Sequence, residues 1–181
     1  LPGHYLELDL ANGQQKTHTY WDVNHFYNQP LLNISETDAV NETERLLKSA
    51  YEYRMVADVP VGVFLSGGYD SSSVAALLQH GRTEKLKTFT IGFHEIAYNE
   101  AKEAKKIAEY LGTDHTEWYL TANEVGSLLS TLPEIYDEPF ADNSTVPTVL
   151  VSQLARRTVK VALSADGGDE IFGGYHKFGQ S

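Results

Sequence analysis

The densest chemistry in this 181-residue chain lies in seven residues, Ser66-Gly67-Gly68-Tyr69-Asp70-Ser71-Ser72. Gly67 and Gly68 can take backbone conformations closed to other residues and let a ligand approach the main chain. Successive N–H groups then point at the start of a helix, where the macrodipole is positive. Ser66, Ser71 and Ser72 add hydroxyl donors, so the segment has the makings of a phosphate or pyrophosphate cradle. Asp70 is the odd member, because a carboxylate repels phosphate. A bridging Mg²⁺ removes the conflict by taking carboxylate and phosphate oxygens together.

A second glycine-rich turn runs Leu163-Ser164-Ala165-Asp166-Gly167-Gly168-Asp169-Glu170-Ile171-Phe172-Gly173-Gly174-Tyr175. Asp166, Asp169 and Glu170 place three carboxylates within five residues, as hard oxygen ligands or bases. The spacing is not that of a calcium-binding EF-hand. The simplest account has Asp70 and Asp169 sharing one Mg²⁺–pyrophosphate. Turn chemistry alone would explain a Ser-Gly-Gly cluster, but not one flanked by a strand, a helix and an acidic partner. Other chemistries lose ground. The chain has neither G-x-x-x-x-G-K-[ST] nor G-x-G-x-x-G, and Ser66 is not in a G-x-S-x-G elbow. The seven His residues form no H-x-H or H-x₃-H pair. With no cysteine there is no disulfide, thiolate metal site or thiol nucleophile.

The elements that must hold these turns read as alternating strand and helix. Val61-Gly62-Val63-Phe64-Leu65 is a continuous apolar run, the mark of a strand buried on both faces. A helix from Ser71 to His80 follows the first turn. Strands are expected at 88–93, 115–120 and 159–163, and helices at 99–111, 123–132 and 147–157. An earlier helix capped by Ser35 or Thr37 carries Val40, Leu47, Ala50 and Tyr51 on one face and ends at Pro60. This order calls for a parallel twisted sheet with helices on both faces, an α/β fold. Ligands then bind at the carboxyl ends of the strands, which both turns leave.

Ahead of this pattern, strands at 5–10 and 16–21 flank Asn12-Gly13, a hairpin signal. Residues 22–36 read as a linker, with a boundary near residue 30. No apolar run approaches a membrane span, and the start is neither a signal peptide nor an initiator Met. A piece of a longer cytoplasmic protein is expected. The net charge of −11 disfavours nucleic acid and anionic membranes as partners.

The two turns together resemble a known family. Ser66–Ser72 is similar to the SGGxDSS PP-loop of N-type ATP pyrophosphatases. Leu163–Tyr175 is similar to the LSGxGxDExFGGY motif of glutamine-hydrolysing asparagine synthetases. Thr90-Ile91-Gly92-Phe93, Leu111-Gly112-Thr113-Asp114-His115 and Asp137-Glu138-Pro139-Phe140-Ala141-Asp142 fit the same family in order and spacing, and Leu1 to Asp22 resembles the end of its glutaminase domain. The resemblance implies an adenine nucleotide alpha hydrolase-like, Rossmann-like fold over residues 31–181, truncated at its C-terminal side. Residues 1–30 would be a glutaminase remnant plus linker. The missing cysteine would then mean that the glutaminase nucleophile lies outside the chain.

The implied chemistry is attack of a carboxylate on the α-phosphorus of ATP, giving an acyl-adenylate and pyrophosphate, followed by ammonia displacing AMP. By position, Ser66, Gly67, Gly68, Ser71 and Ser72 would hold pyrophosphate, and Asp70 and Asp169 the Mg²⁺. Leu65 and Ile91 would meet adenosine through their backbones, with Gly92 leaving room, while Ser164 and Ala165 would lie near the ribose. Asp166 would serve the reacting carboxylate and ammonia, where the family has a Glu one methylene longer. Ala165 replaces a common Gly and Tyr69 the usual Leu. Aspartate leads as acceptor, with a sugar acid, a peptide carboxylate and a β-lactam precursor as alternatives. A non-catalytic nucleotide-binding module is the competing class.

Overall fold

The computed structural model describes residues 1–94, 100–138, 142 and 144–175. Three sequence expectations fall outside them: Asn99 as a helix start, residues 139–141 of the Asp137–Asp142 segment, and His176. The chain divides into two compact units between Ala39 and Val40, nine residues beyond the boundary expected near 30.

The first unit is built on an antiparallel hairpin, β1 (His4–Leu8) with β2 (Gln15–Thr19), in register His4 to Thr19 and Leu8 to Gln15. The turn is longer than the two residues of Asn12-Gly13. Asp9 N–H donates to the Gln14 carbonyl and Gly13 N–H to the Asp9 carbonyl, and the Asn12 side chain accepts from Gln14 N–H. The expected linker contains a short helix, α1 (Val23–Tyr27), because Asp22 accepts the Asn24 N–H and caps it.

Helix α2 (Glu36–Arg54) starts where Ser35 accepts the Asp38 N–H at 3.1 Å. It ends at Arg54, well before Pro60. Tyr51 reaches the core as expected for that face, joined by Met55 just past the helix end, but Val40 is exposed.

The second unit carries a four-stranded parallel sheet in the order β5-β4-β3-β6. The strands are β3 (Val61–Phe64), β4 (Lys87–Phe93), β5 (Asp114–Leu120) and β6 (Val161–Leu163). Alternation along each strand sends side chains to two different helical layers. On one face Val63 and Leu65 pack against Val74, Ala75 and Leu78 of α3 (Tyr69–Gln79) and Ala104 and Ala108 of α4 (Ala101–Leu111). On the other, Phe89 packs against Leu154 and Ala155 of α7 (Thr145–Ala155). Leu120 there meets Leu128 of α5 (Ala122–Leu129) and Leu150 of α7. Gly112, at φ +72°, stops α4 in the left-handed cap position. The single helix expected over 123–132 breaks into α5 and the short α6 (Leu132–Ile135), since Pro133 cannot donate into a preceding turn. Another five-residue helix, α8 (Gly168–Phe172), occupies what the sequence reads as open turn.

Between the sheet and α4 lies a buried polar knot. Thr88 Oγ1 is 2.9 Å from both Thr113 Oγ1 and His115 Nδ1, while His115 Nε2 is buried without a partner among the described residues. Burial holds the His115 imidazole below its ordinary value of 6.5, with Lys105 acting the same way and Glu117 and Glu109 opposing. The unfolded chain therefore takes up a proton before the folded one does, and stability falls as pH drops below about 6.5. Unfolding midpoints measured from pH 7.5 to pH 5 are expected to decline more steeply in the parent than in His115→Gln. Equal slopes would remove His115 from the acid response.

Candidate active site

β3 delivers Leu65 to the carboxyl edge of the sheet, where it is 1% exposed and its N–H donates to the Phe89 carbonyl at 2.9 Å. The chain then turns sharply through Gly67 at φ +91°. A Cβ on Gly67 would lie 2.9 Å from the Ala104 backbone nitrogen and 3.1 Å from Glu103 Cβ, so both conformation and space require glycine. Ser66 Oγ and Ser71 Oγ sit 2.9 Å apart, and Gly68 N–H donates to Ser66 Oγ at 3.3 Å. These hydroxyls brace the turn from within. Ser72 Oγ is buried and unpartnered among the described residues.

Helix α3 begins at Tyr69, two residues before the expected start, so Asp70 belongs to its first turn and not to the loop. The Asp70 carboxylate is thus stabilised by the positive helix end. Gly68 is the N-cap and offers no side chain to the first N–H groups. The helix end is left open for an oxyanion.

β6 lies beside β3 and runs parallel to it, so the second turn leaves the sheet next to the first. The Ser164 hydroxyl donates to the Asp166 carboxylate. Gly167 takes φ +94° and leads into α8. The two turns meet at Asp70: a Cβ on Gly168 would lie 2.7 Å from Asp70 Cγ and 2.8 Å from its Oδ2. Asp169 is turned the other way, with its carboxylate against Gly174 and its carbonyl accepting the Gly174 N–H at 3.0 Å. Tyr175 donates its hydroxyl to Glu170 at 2.5 Å. That bond, then burial and the charges of Glu170, Asp169 and Asp166 push the Tyr175 phenol up to about 12. The second turn is therefore a strongly negative neighbourhood.

A cavity of about 630 Å³ opens over the two turns. Of the residues singled out from sequence, Leu65, Ser66, Gly68, Asp70, Ser71, Ile91, Ser164, Ala165 and Asp166 line it. Gly67, Ser72, Gly92 and Asp169 do not. Gly67 shapes the turn from behind, and Gly92 faces the other layer, where a Cβ would meet Tyr119 at 2.8 Å and Ala101 at 2.9 Å.

Sequence reading missed the wall opposite the turns. Phe64, Phe89 and Phe93 form an apolar floor, and Ser144, Pro147, Thr148 and Val151 of the α7 segment close one side. Ser144 and Thr148 stand four apart, the helical spacing for one face, and this was the signal available. Glu100 adds a carboxylate at the rim, and Tyr69, which is 95% exposed, also borders the cavity.

Among the described residues no three His, Asp or Glu side chains cluster closely enough to hold a metal alone. Mg²⁺ takes one or two carboxylates plus substrate phosphates and waters in preference to an all-protein cage. Asp70, poised over an open helix end, is such a carboxylate.

Residues 42–181 match the family model described as asparagine synthase. A Methanocaldococcus jannaschii protein assigned as a glutamine-hydrolysing asparagine synthetase is 40% identical over 171 residues, which is 94% of this chain and 32% of that protein. Glutamine-hydrolysing asparagine synthetase 1 of Bacillus subtilis is 36% identical over 145 residues, 80% of this chain and 23% of that protein. The chain thus spans a third or less of these relatives. The NH3-dependent NAD synthetase of Campylobacter jejuni shares the fold at TM-score 0.50, with 14% identity over 75% of this chain and 60% of that one. The expected parallel α/β architecture is present, the two glycine-rich turns meet at its carboxyl edge, and the match runs through both, so the chain belongs to the asparagine synthase family.

Proposed function

We propose that this chain is the nucleotide-activating part of an ATP-dependent amide-forming ligase, with aspartate as the carboxylate and ammonia as the nitrogen donor. One observation carries the reading: the Asp70 carboxylate reaches from the first turn onto Gly168 of the second, beside an N-terminally uncapped helix. A pyrophosphate leaving group needs that combination of backbone donors and a carboxylate able to share Mg²⁺.

In this reading the N–H groups at the start of α3 and the Ser66 and Ser71 hydroxyls receive the pyrophosphate, and the buried Ser72 hydroxyl, which does not line the cavity, would reach it on rearrangement of the turn. Asp70 would hold the Mg²⁺, which when bound would neutralise charge accumulating on the leaving group, and Asp169 would join it by turning its carboxylate away from Gly174. The apolar floor of Phe64, Phe89 and Phe93, with the backbones of Leu65 and Ile91, accommodates the adenosine. Ser164 and Ala165 lie toward the ribose. Asp166, held by the Ser164 hydroxyl, stands at the α-phosphorus side, where it orients the incoming amine. Gly92 serves indirectly, by letting α4 close on β4.

Residues 1–30 are proposed as the end of a glutaminase domain with its linker, and 31–181 as part of the synthetase domain. A glutaminase domain in the intact protein would then supply the ammonia. No described helix is long and apolar enough to cross a membrane, and we assign the protein to the cytoplasm.

The test is ATP–pyrophosphate exchange by the full-length protein against a panel of carboxylic acids. Exchange stimulated by aspartate supports the assignment. Stimulation only by a sugar acid or peptide carboxylate would move the acceptor, and Mg²⁺-dependent binding without exchange would make this a nucleotide-binding module. For Asp166→Ala we expect amide formation to fall ~100-fold, with nucleotide affinity within ~3-fold of the parent. Equal loss of both would count against the role of Asp166.

A further inference from the structure

Glycines 167 and 168 stand side by side for different reasons. Gly167 has φ +94° and nothing within 4 Å of where a Cβ would point, so its backbone conformation demands glycine and its surroundings do not. Gly168 is the reverse. Its φ is not positive, and it is the first residue of α8, where alanine would suit a helix better than glycine. Backbone geometry therefore gives no reason for glycine at 168.

Space does. A Cβ there would stand 2.7 Å from Asp70 Cγ, 2.8 Å from Oδ2 and 3.0 Å from Oδ1. Asp70 has a short side chain fixed in the first turn of α3, so it cannot fold away as a long flexible chain would. Any side chain at 168 must displace either the carboxylate or the second turn.

We infer that Gly168 is a positioning residue: its missing side chain lets the Asp70 carboxylate lie directly on the second turn, and so sets the distance between Asp70 and the turn that carries Asp169. The inference rests on the ligase reading, in which Asp70 faces Mg²⁺–pyrophosphate. With alanine at 168 the carboxylate is pushed back from the second turn, and its hold on a bound Mg²⁺ would weaken. Tyr51 stands on the α2 side of Asp70: burial and then the Asp70 charge raise its phenol.

Two measurements on the full-length protein test this. The first is a thermal-unfolding cycle without metal or nucleotide. Gly168→Ala is expected to lower the unfolding midpoint by ~3 °C in the parent. In an Asp70→Ala background, where the obstructing carboxylate is gone, it should leave the midpoint unchanged or raise it. The same loss in both backgrounds would overturn the inference, because the glycine would then answer to something other than Asp70.

The second is pyrophosphate binding titrated with Mg²⁺ by calorimetry. Gly168→Ala should raise the half-saturating Mg²⁺ concentration ~10-fold or more, while adenosine binding stays at the parent value. An unchanged half-saturation in Gly168→Ala, with normal Mg²⁺ dependence in the parent, would sink the positioning role alone. No Mg²⁺ dependence in the parent would overturn the ligase reading and the inference together.

Discussion

Asp70→Asn is expected to weaken Mg²⁺-dependent pyrophosphate binding by ~100-fold or more and to remove ATP–pyrophosphate exchange with it. The substitution keeps the shape of the side chain and takes away its charge. It should therefore leave the contact with Gly168 sterically intact. The carboxylate performs two tasks in the proposed site. It offsets the positive end of α3, and it gives the phosphate-bound Mg²⁺ a protein ligand where no cluster of three such groups occurs among the described residues. Without it, backbone N–H groups alone face the anion. Isothermal titration with pyrophosphate, with and without Mg²⁺, separates the two tasks. Affinity equal to the parent in the presence of Mg²⁺ would end the shared-metal account.

Gly67→Ala is expected to be strongly disruptive, because conformation and space both oppose a side chain there. Two independent costs meet there. An L-residue at φ +91° costs about 1–2 kcal/mol. A Cβ 2.9 Å from the Ala104 backbone nitrogen adds about 1–3 kcal/mol of overpacking, because a helix backbone has no rotamer to give. The sum, about 2–5 kcal/mol, is a large fraction of a typical domain's stability. Denaturant unfolding measures it directly, and a loss under 1 kcal/mol would show that the turn can rearrange. Nucleotide binding should fall as well, since relief of the clash moves the N–H groups that start α3.

Much of this was readable from residue types and order. The Val61–Leu65 run gave a buried strand because it is short, apolar throughout, and bounded by Pro60 and a glycine-rich turn. The alternation of strands and helices gave the parallel sheet, and the sheet placed both glycine turns on one edge.

What failed was local. The first turn of α3 looked like loop because Tyr69 and Asp70 interrupt the apolar pattern. Helical geometry needs no apolar residue at positions facing a ligand. Helix α8 was hidden for the same reason, behind glycines that read as turn. The α7 wall went unnoticed because Ser144, Pro147 and Thr148 resemble ordinary helix-start residues. Their contribution comes from where the sheet puts them. Residue type alone does not separate Gly168 from Gly167, since the difference lies in backbone conformation and in what each one faces.

The pairing of β3 with both neighbours has a consequence for how the halves of the site are held. β3 meets β4 across a crossover that brings Gly62 to Lys87, but it meets β6 by bringing Val61 to Val161. The second closure ties up a loop four times longer, which adds about 1 kcal/mol of chain entropy over the first. It is secured by a strand of only three residues. A ligand that touches both turns binds across this seam, and so acts as a removable staple on a hundred-residue loop.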